Sequence, residues 1–224
     1  MKKLFIFVAA GLLLLLLPML QMARWKQIKL YKIILIALTG TAAGVTGAFL
    51  WYWLENGKFG GISYFGAVFL VPFIFALVFW LFREPYGAIL DLCAPAECAM
   101  LVMMKIHCAV SKCCGGRVLF VAESGVTVHF PSQLAEMTNA LLLLSVIMIL
   151  SRKKICQNAL YPCFLVLYGA TRFVLNCFRA TTSDFFLGMP AGNVWSLLAM
   201  VAGGIWLLVI WRKNRDLFCR KDCV

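Results

Sequence analysis

Apolar stretches long enough to cross a bilayer recur along this chain at Leu4–Met22, Leu30–Leu54, Ile62–Phe82, Tyr86–Val110, Leu134–Leu150, Leu160–Phe178 and Val194–Trp211. A helix needs roughly 17–25 apolar residues to span the hydrocarbon core, and each stretch falls in that range. The segments between them are mostly short. The pattern therefore predicts an all-α membrane protein, a polytopic bundle of about seven transmembrane helices forming one integral-membrane domain over residues 1–224. A composition 63% hydrophobic and 13% charged excludes an ordinary soluble domain.

The net charge of +12 would suggest a nucleic-acid partner in a soluble protein. Here orientation explains it better, and no nucleic acid is expected. With the N-terminus outside, the inner side holds Arg24, Lys26, Lys29, Lys32, Arg83, Arg152, Lys153, Lys154, Arg212, Lys213, Arg215, Arg220 and Lys221. The outer side holds Lys2, Lys3, Lys58, Lys112, Arg117 and Arg179. Thirteen against six favours an outer N-terminus and a cytoplasmic C-terminus by the positive-inside bias. Lys2-Lys3 before a Leu-rich run also resembles a signal peptide, but Gln21-Met22-Ala23 is a poor cleavage site. A retained first span is the preferred reading.

Arg172 stands inside Leu160–Phe178, where a guanidinium keeps its charge and costs a few kcal/mol or more unless answered. Tyr168, Arg172 and Asn176 follow at every fourth residue and share a helix face, with Arg179 near that face at the helix end. Such a stripe suits either an anionic partner at membrane depth, lipid phosphate above all, or an acidic residue of a neighbouring helix. Asp91, Glu97, Lys105 and Glu136 are the other ionisable groups in or beside spans. The orientation places Lys105, Arg172, Arg179, His129 and Glu136 near the outer headgroup layer, where they can meet. Asp91 reads as a cap or brace, Glu97 as the partner of Lys105 or another cation, and His107 as an interior or interfacial residue. Gly60-Gly61 allows a tight turn, and Gly44, Gly47, Gly203 and Gly204 permit close helix packing.

Cys93, Cys98, Cys163 and Cys177 lie in apolar helices, where a thiol behaves as a small hydrophobe. A disulfide of Cys108 with Cys113 or Cys114 is possible, the vicinal pair being strained. Cys219-x3-Cys223 has no His beside it, so no metal site is expected. No cofactor is expected either.

Taken together, six stretches resemble the prolipoprotein diacylglyceryl transferase family, in a divergent Cys-Cys-x-Gly form. They are Gly60-Gly61-Ile62-Ser63-Tyr64-Phe65-Gly66, Asp91-x3-Pro95, and Cys108-x4-Cys113-Cys114-Gly115-Gly116-Arg117. Phe130-Pro131-Ser132-Gln133-Leu134-Ala135-Glu136, Tyr168-Gly169-x2-Arg172-x3-Asn176-x2-Arg179, and Gly192-Asn193-x2-Ser196-Leu197 ahead of Gly203 complete the set. The resemblance covers about residues 31–208. It implies a multi-pass protein of the bacterial plasma membrane that moves the diacylglyceryl group of phosphatidylglycerol onto the lipobox cysteine thiol of a preprolipoprotein signal peptide. Glycerol phosphate would leave. Membrane lipid and that signal peptide would be the partners.

Carried over position by position, Arg172 matches the family's phosphate-binding arginine, and Gly116, Pro131, Gln133 and Glu136 match as well. Lys105 stands where the family has a second phosphate-binding Arg, keeping the charge without the fork. On this basis Arg172, Lys105, Arg179, Gly116 and Gln133 are expected to bind the phospholipid phosphate, and His129, Glu136 and Tyr168 to be catalytic. Phe65 replaces a His or Tyr used in catalysis, Cys108 an Asn, Cys113 a Glu and Asn176 an acidic residue. His129 lies one position before the place of the family's His. A transferase with altered acid–base residues is the first reading. A catalytically impaired member that binds phospholipid or signal peptide is the second, and a small transporter using Asp91, Glu97, Lys105 and Arg172 is the third.

Overall fold

The computed structural model describes the backbone of all residues except 1, 112–114, 122–125, 154–155, 181–185, 187 and 222–224, and the side chains of those from 10 to 213. Seven helices and one hairpin make up the described chain. They are α1 (Lys2–Lys26), α2 (Leu30–Asn56), α3 (Tyr64–Phe82), α4 (Tyr86–Val110), β1 (Val118–Val121), β2 (Thr127–His129), α5 (Ser132–Leu150), α6 (Leu160–Asn176) and α7 (Ala191–Lys221). Five of the helices, α2, α3, α4, α5 and residues Ala191–Lys213 of α7, are long and apolar enough to cross a membrane. Helix α6 carries 17 residues, at the short end of the spanning range. The chain is an all-α, multi-pass membrane protein with a small β-hairpin that the search for apolar runs passes over.

The helix boundaries follow local chemistry. Helix α2 stops where Gly57 turns left-handed (φ 64°) and its N–H donates to the Trp53 carbonyl at 2.7 Å. Gly60, at φ 133°, makes the turn into α3, as the glycine pair predicts. Pro85 precedes the first residue of α4, and Pro131 that of α5. Helix α5 therefore begins two residues before the apolar run does, and α6 ends at Asn176, before Phe178. Inside α3, Pro72 has no N–H to give the Val68 carbonyl, an omission costly in lipid. Tyr161 of α6 fills the place, its hydroxyl donating to Val68 O at 2.8 Å.

Helix α4 lies at the centre, packed against α1, α3, α5 and α6 and buried at every residue from Ile89 to Pro95. Helices α2 and α3 pair closely because Gly47 and Gly66 bring their backbones together; a Cβ on either would collide with the other's carbonyl. Gly203 of α7 approaches the Pro162 carbonyl and Leu165 of α6 in the same way. Nothing comparable approaches Gly204.

At one end of the bundle the fold is pinned by Asp91. Lys26 of α1 reaches it at 2.7 Å, and the N–H groups of Asn158 and Leu160 donate to it at 2.8 and 3.0 Å. Asp91 thus caps α6 from another helix while bracing α1, the structural role its position suggests. Lys32 and Glu84 form a second pair nearby in sequence to that end, at 2.6 Å. Replacing Asp91 with Asn is expected to lower stability by about 1–3 kcal/mol, the worth of charged hydrogen bonds lost around a buried group. Thermal unfolding in detergent measures it, and an unchanged midpoint would show that the cap is dispensable.

Candidate active site

The opposite end gathers Lys105, Glu136, Arg172 and Arg179. Glu136 projects from the second turn of α5 and is buried at 3% exposure. Its Oε2 forms ion pairs with both Lys105 Nζ of α4 and Arg172 Nη1 of α6. Arg179, just past α6, brings its Nε to 3.7 Å from Oε1, which makes no hydrogen bond of its own among the described residues. Cations from separate spans therefore converge on one carboxylate. The acidic neighbour that a structural Arg172 requires exists, but three cations outnumber it, leaving the four groups a net charge of +2.

This arrangement corrects one sequence expectation. Glu97 does not pair with Lys105, although the two lie on one helix; the Tyr64 hydroxyl lies 2.7 Å from Glu97 Oε2 and 2.6 Å from its carbonyl. Lys105 is turned instead toward α5. Adjacent α5 and α6 are clipped together by Asn139 Nδ2 donating to Thr171 Oγ1 at 3.0 Å, which holds Glu136 and Arg172 in register. The signal for this clip in the sequence is two polar residues at span depth, Asn139 one turn from Glu136 and Thr171 next to Arg172.

Backbone pairing joins the segment that carries Arg179 to the base of the hairpin that carries His129. Gly116 forms a β-bridge with Arg179, the Arg117 N–H donates to the Phe178 carbonyl at 2.9 Å, and the Phe130 N–H donates to the Arg117 carbonyl at 2.9 Å. Gly116 is required there because a Cβ would run into the Phe130 carbonyl. The His129 ring lies with Nδ1 3.2 Å from Gly116 O. The imidazole is thus tied to Gly116, the residue bridged to Arg179. Gln133 sits one turn before Glu136 on α5.

Tyr168 lies one turn from Arg172 and is buried in rings, with Tyr64, Phe65 and Phe164 each at 5.5 Å between centroids. Phe65 is a core residue stacked on Phe69 and forms an aromatic wall beside Tyr168. Asn176 is buried against Gly192 of α7, where a Cβ would lie 2.6 Å from its Nδ2. Beside α4, on the flank that carries Glu97, His107 and Cys108, an apolar cavity of about 450 Å³ is walled by α1, α2 and α3 residues, among them Leu15, Met19, Gly40, Gly44 and Val71. Lys105 and Glu136 do not line it. Cys113, Cys114 and the Cys219–Cys223 pair lie outside the described residues or side chains, and with them the disulfide and metal expectations placed on them.

Comparison with known proteins gives the family. A relative from Polaromonas naphthalenivorans (strain CJ2), a phosphatidylglycerol–prolipoprotein diacylglyceryl transferase, is 28% identical over 173 residues, covering 70% of this chain and 62% of that protein. The chain thus spans less than two thirds of the length of the relative it matches. The family model described as prolipoprotein diacylglyceryl transferase matches residues 4–210, from inside α1 to within α7. The chain belongs to the prolipoprotein diacylglyceryl transferase family.

Proposed function

We propose that the protein transfers the diacylglyceryl group of phosphatidylglycerol to the lipobox cysteine thiol of a preprolipoprotein, at the outer leaflet of a bacterial plasma membrane with the N-terminus outside. The observation that carries this reading is the convergence of Lys105, Arg172 and Arg179 on Glu136 at one end of the bundle. In the reaction a thiolate attacks the carbon of the diacylated glycerol that bears the phosphate ester. A C–S bond forms, the C–O bond breaks, and the electron pair leaves with glycerol phosphate. The phosphate passes from a singly charged diester to a doubly charged monoester. A seat of net charge +2 stabilises the second state more than the first, and only such differential stabilisation speeds the chemical step.

Within this reading Arg172 and Lys105 hold the phosphate, Arg179 completes the seat from the loop after α6, and Gly116 and Gln133 border it. Glu136 keeps the cations together and sets their sum. His129 is the proton acceptor for the thiol: with Nδ1 donating to the Gly116 carbonyl, Nε2 keeps its lone pair. Tyr168 supports Arg172 from the aromatic wall.

The direct test supplies the purified protein in phosphatidylglycerol vesicles with a lipobox peptide. Release of glycerol phosphate and a peptide mass increase of one diacylglyceryl group are expected together. Phospholipid binding without either product would make the protein a lipid-binding member of its family. Replacing Lys105 with Arg should keep lipid affinity or raise it, because a guanidinium adds a second parallel hydrogen bond to phosphate. A loss of lipid binding in that variant would remove Lys105 from the seat.

A further inference from the structure

Apart from His129 at the end of β2, the hairpin β1–β2 has no part in the reaction just described, and its surface is unusual. Val118, Leu119, Phe120 and Val121 of β1 and Val126 before β2 are each more than half exposed. Successive residues of a strand point to opposite faces, so exposure of both Phe120 and Val121 leaves β1 bare and apolar on both sides, with Thr127 and His129 of β2 exposed opposite Val121 and Val118. Two strands alone are marginal in water, and an apolar hairpin with open edges invites aggregation. Such a surface suits a solvent that is itself apolar.

The location supplies that solvent. The hairpin leaves the end of α4, returns to the start of α5 and is bridged to the segment after α6. Around its base Val110 of α4, Leu134 of α5 and Phe178 are exposed apolar residues on span ends, and Phe130 stacks on Phe178 with centroids 5.0 Å apart. The bare faces of β1 are therefore continuous with the lipid-facing surface of the bundle. A cation stands at the junction: Arg117 is exposed, with its Nε donating to the Arg179 carbonyl at 3.2 Å.

We infer that β1 and the start of β2 lie immersed at the boundary between headgroups and acyl chains of the leaflet that faces the Lys105–Arg172–Glu136 cluster. Phospholipid is the partner of both faces, and Arg117 sits at headgroup level. The immersion positions more than the hairpin, because the same backbone pairing carries Gly116 and Arg179. The bilayer thereby sets the height of Arg179 relative to Glu136. It does not depend on the transfer reaction proposed above.

Photo-crosslinking of the full chain in phosphatidylcholine–phosphatidylglycerol vesicles tests this. Benzoylphenylalanine is introduced in turn at positions 120 and 121, which point to opposite faces, and each protein is irradiated and weighed by mass spectrometry. A mass shift of one phospholipid at both positions is expected. Adducts at one position only, no lipid adduct, or adducts solely with a second copy of the chain would each overturn immersion. Elution of each substituted protein as a single species in detergent, matching the parent, separates these outcomes from misfolding.

Discussion

Replacing Arg172 with Ala is expected to cut glycerol phosphate release by about 100-fold or more, the usual loss when one donor is removed from a charge-stabilising site. The fold should survive, because Lys105 and Arg179 still answer Glu136 and no carboxylate is left alone. Thermal unfolding near the parent's midpoint, with kcat/KM lost, is the expected pair of results. Arg172→Lys should fall between, since it retains charge at the seat but offers no planar fork to a phosphate. Turnover by Arg172→Ala within a few-fold of the parent would remove the residue from the chemistry and return it to a structural ion pair.

Removing Glu136 should have the opposite character. The Ala variant leaves Lys105, Arg172 and Arg179 crowded together without their shared partner, and loss of one member of a buried ionic group costs about 3–5 kcal/mol. A large fall in the unfolding midpoint, or failure to obtain monodisperse protein, is expected. Glu136→Gln preserves shape and changes only the sum of charge, from +2 to +3. Phosphatidylglycerol should then bind more tightly in the ground state while turnover slows, so KM and kcat fall together. Stability of the Ala variant equal to the parent's would show that Glu136 is not the hub of this end. Slowed turnover in Gln with lipid affinity unchanged would assign Glu136 to proton transfer instead.

Much of the architecture was legible in the residues. The limits of α4, Tyr86 and Val110, coincide with those of the apolar run, and α6 starts at Leu160 as its run does. The glycine positions foretold the α2–α3 contact at Gly47, and Asp91 is the cap and brace that its place in α4 suggested. The hairpin was missed, although Val118–Val121 and Val126–Val128 flank Glu123-Ser124-Gly125, a turn signal between β-branched runs. Runs of four residues fall below any search for spans, and both faces being apolar hides the alternation that marks a strand beside water.

Glu97 and Lys105 show where such reading stops. Both are ionisable, both sit on α4, and opposite charge makes them natural partners on paper. In the fold Tyr64 of α3 reaches Glu97, and Lys105 meets Glu136 of α5. The number of helices, their order and the burial of charge were set by the chain alone, because a backbone in lipid must satisfy its own hydrogen bonds wherever apolar residues run long enough. Which charges share a partner was decided by tertiary packing. An ion pair across helices depends on how each helix is rotated about its axis, and that rotation is fixed by contacts such as Gly47 against Gly66 and Asn139 on Thr171, between residues far apart in the chain.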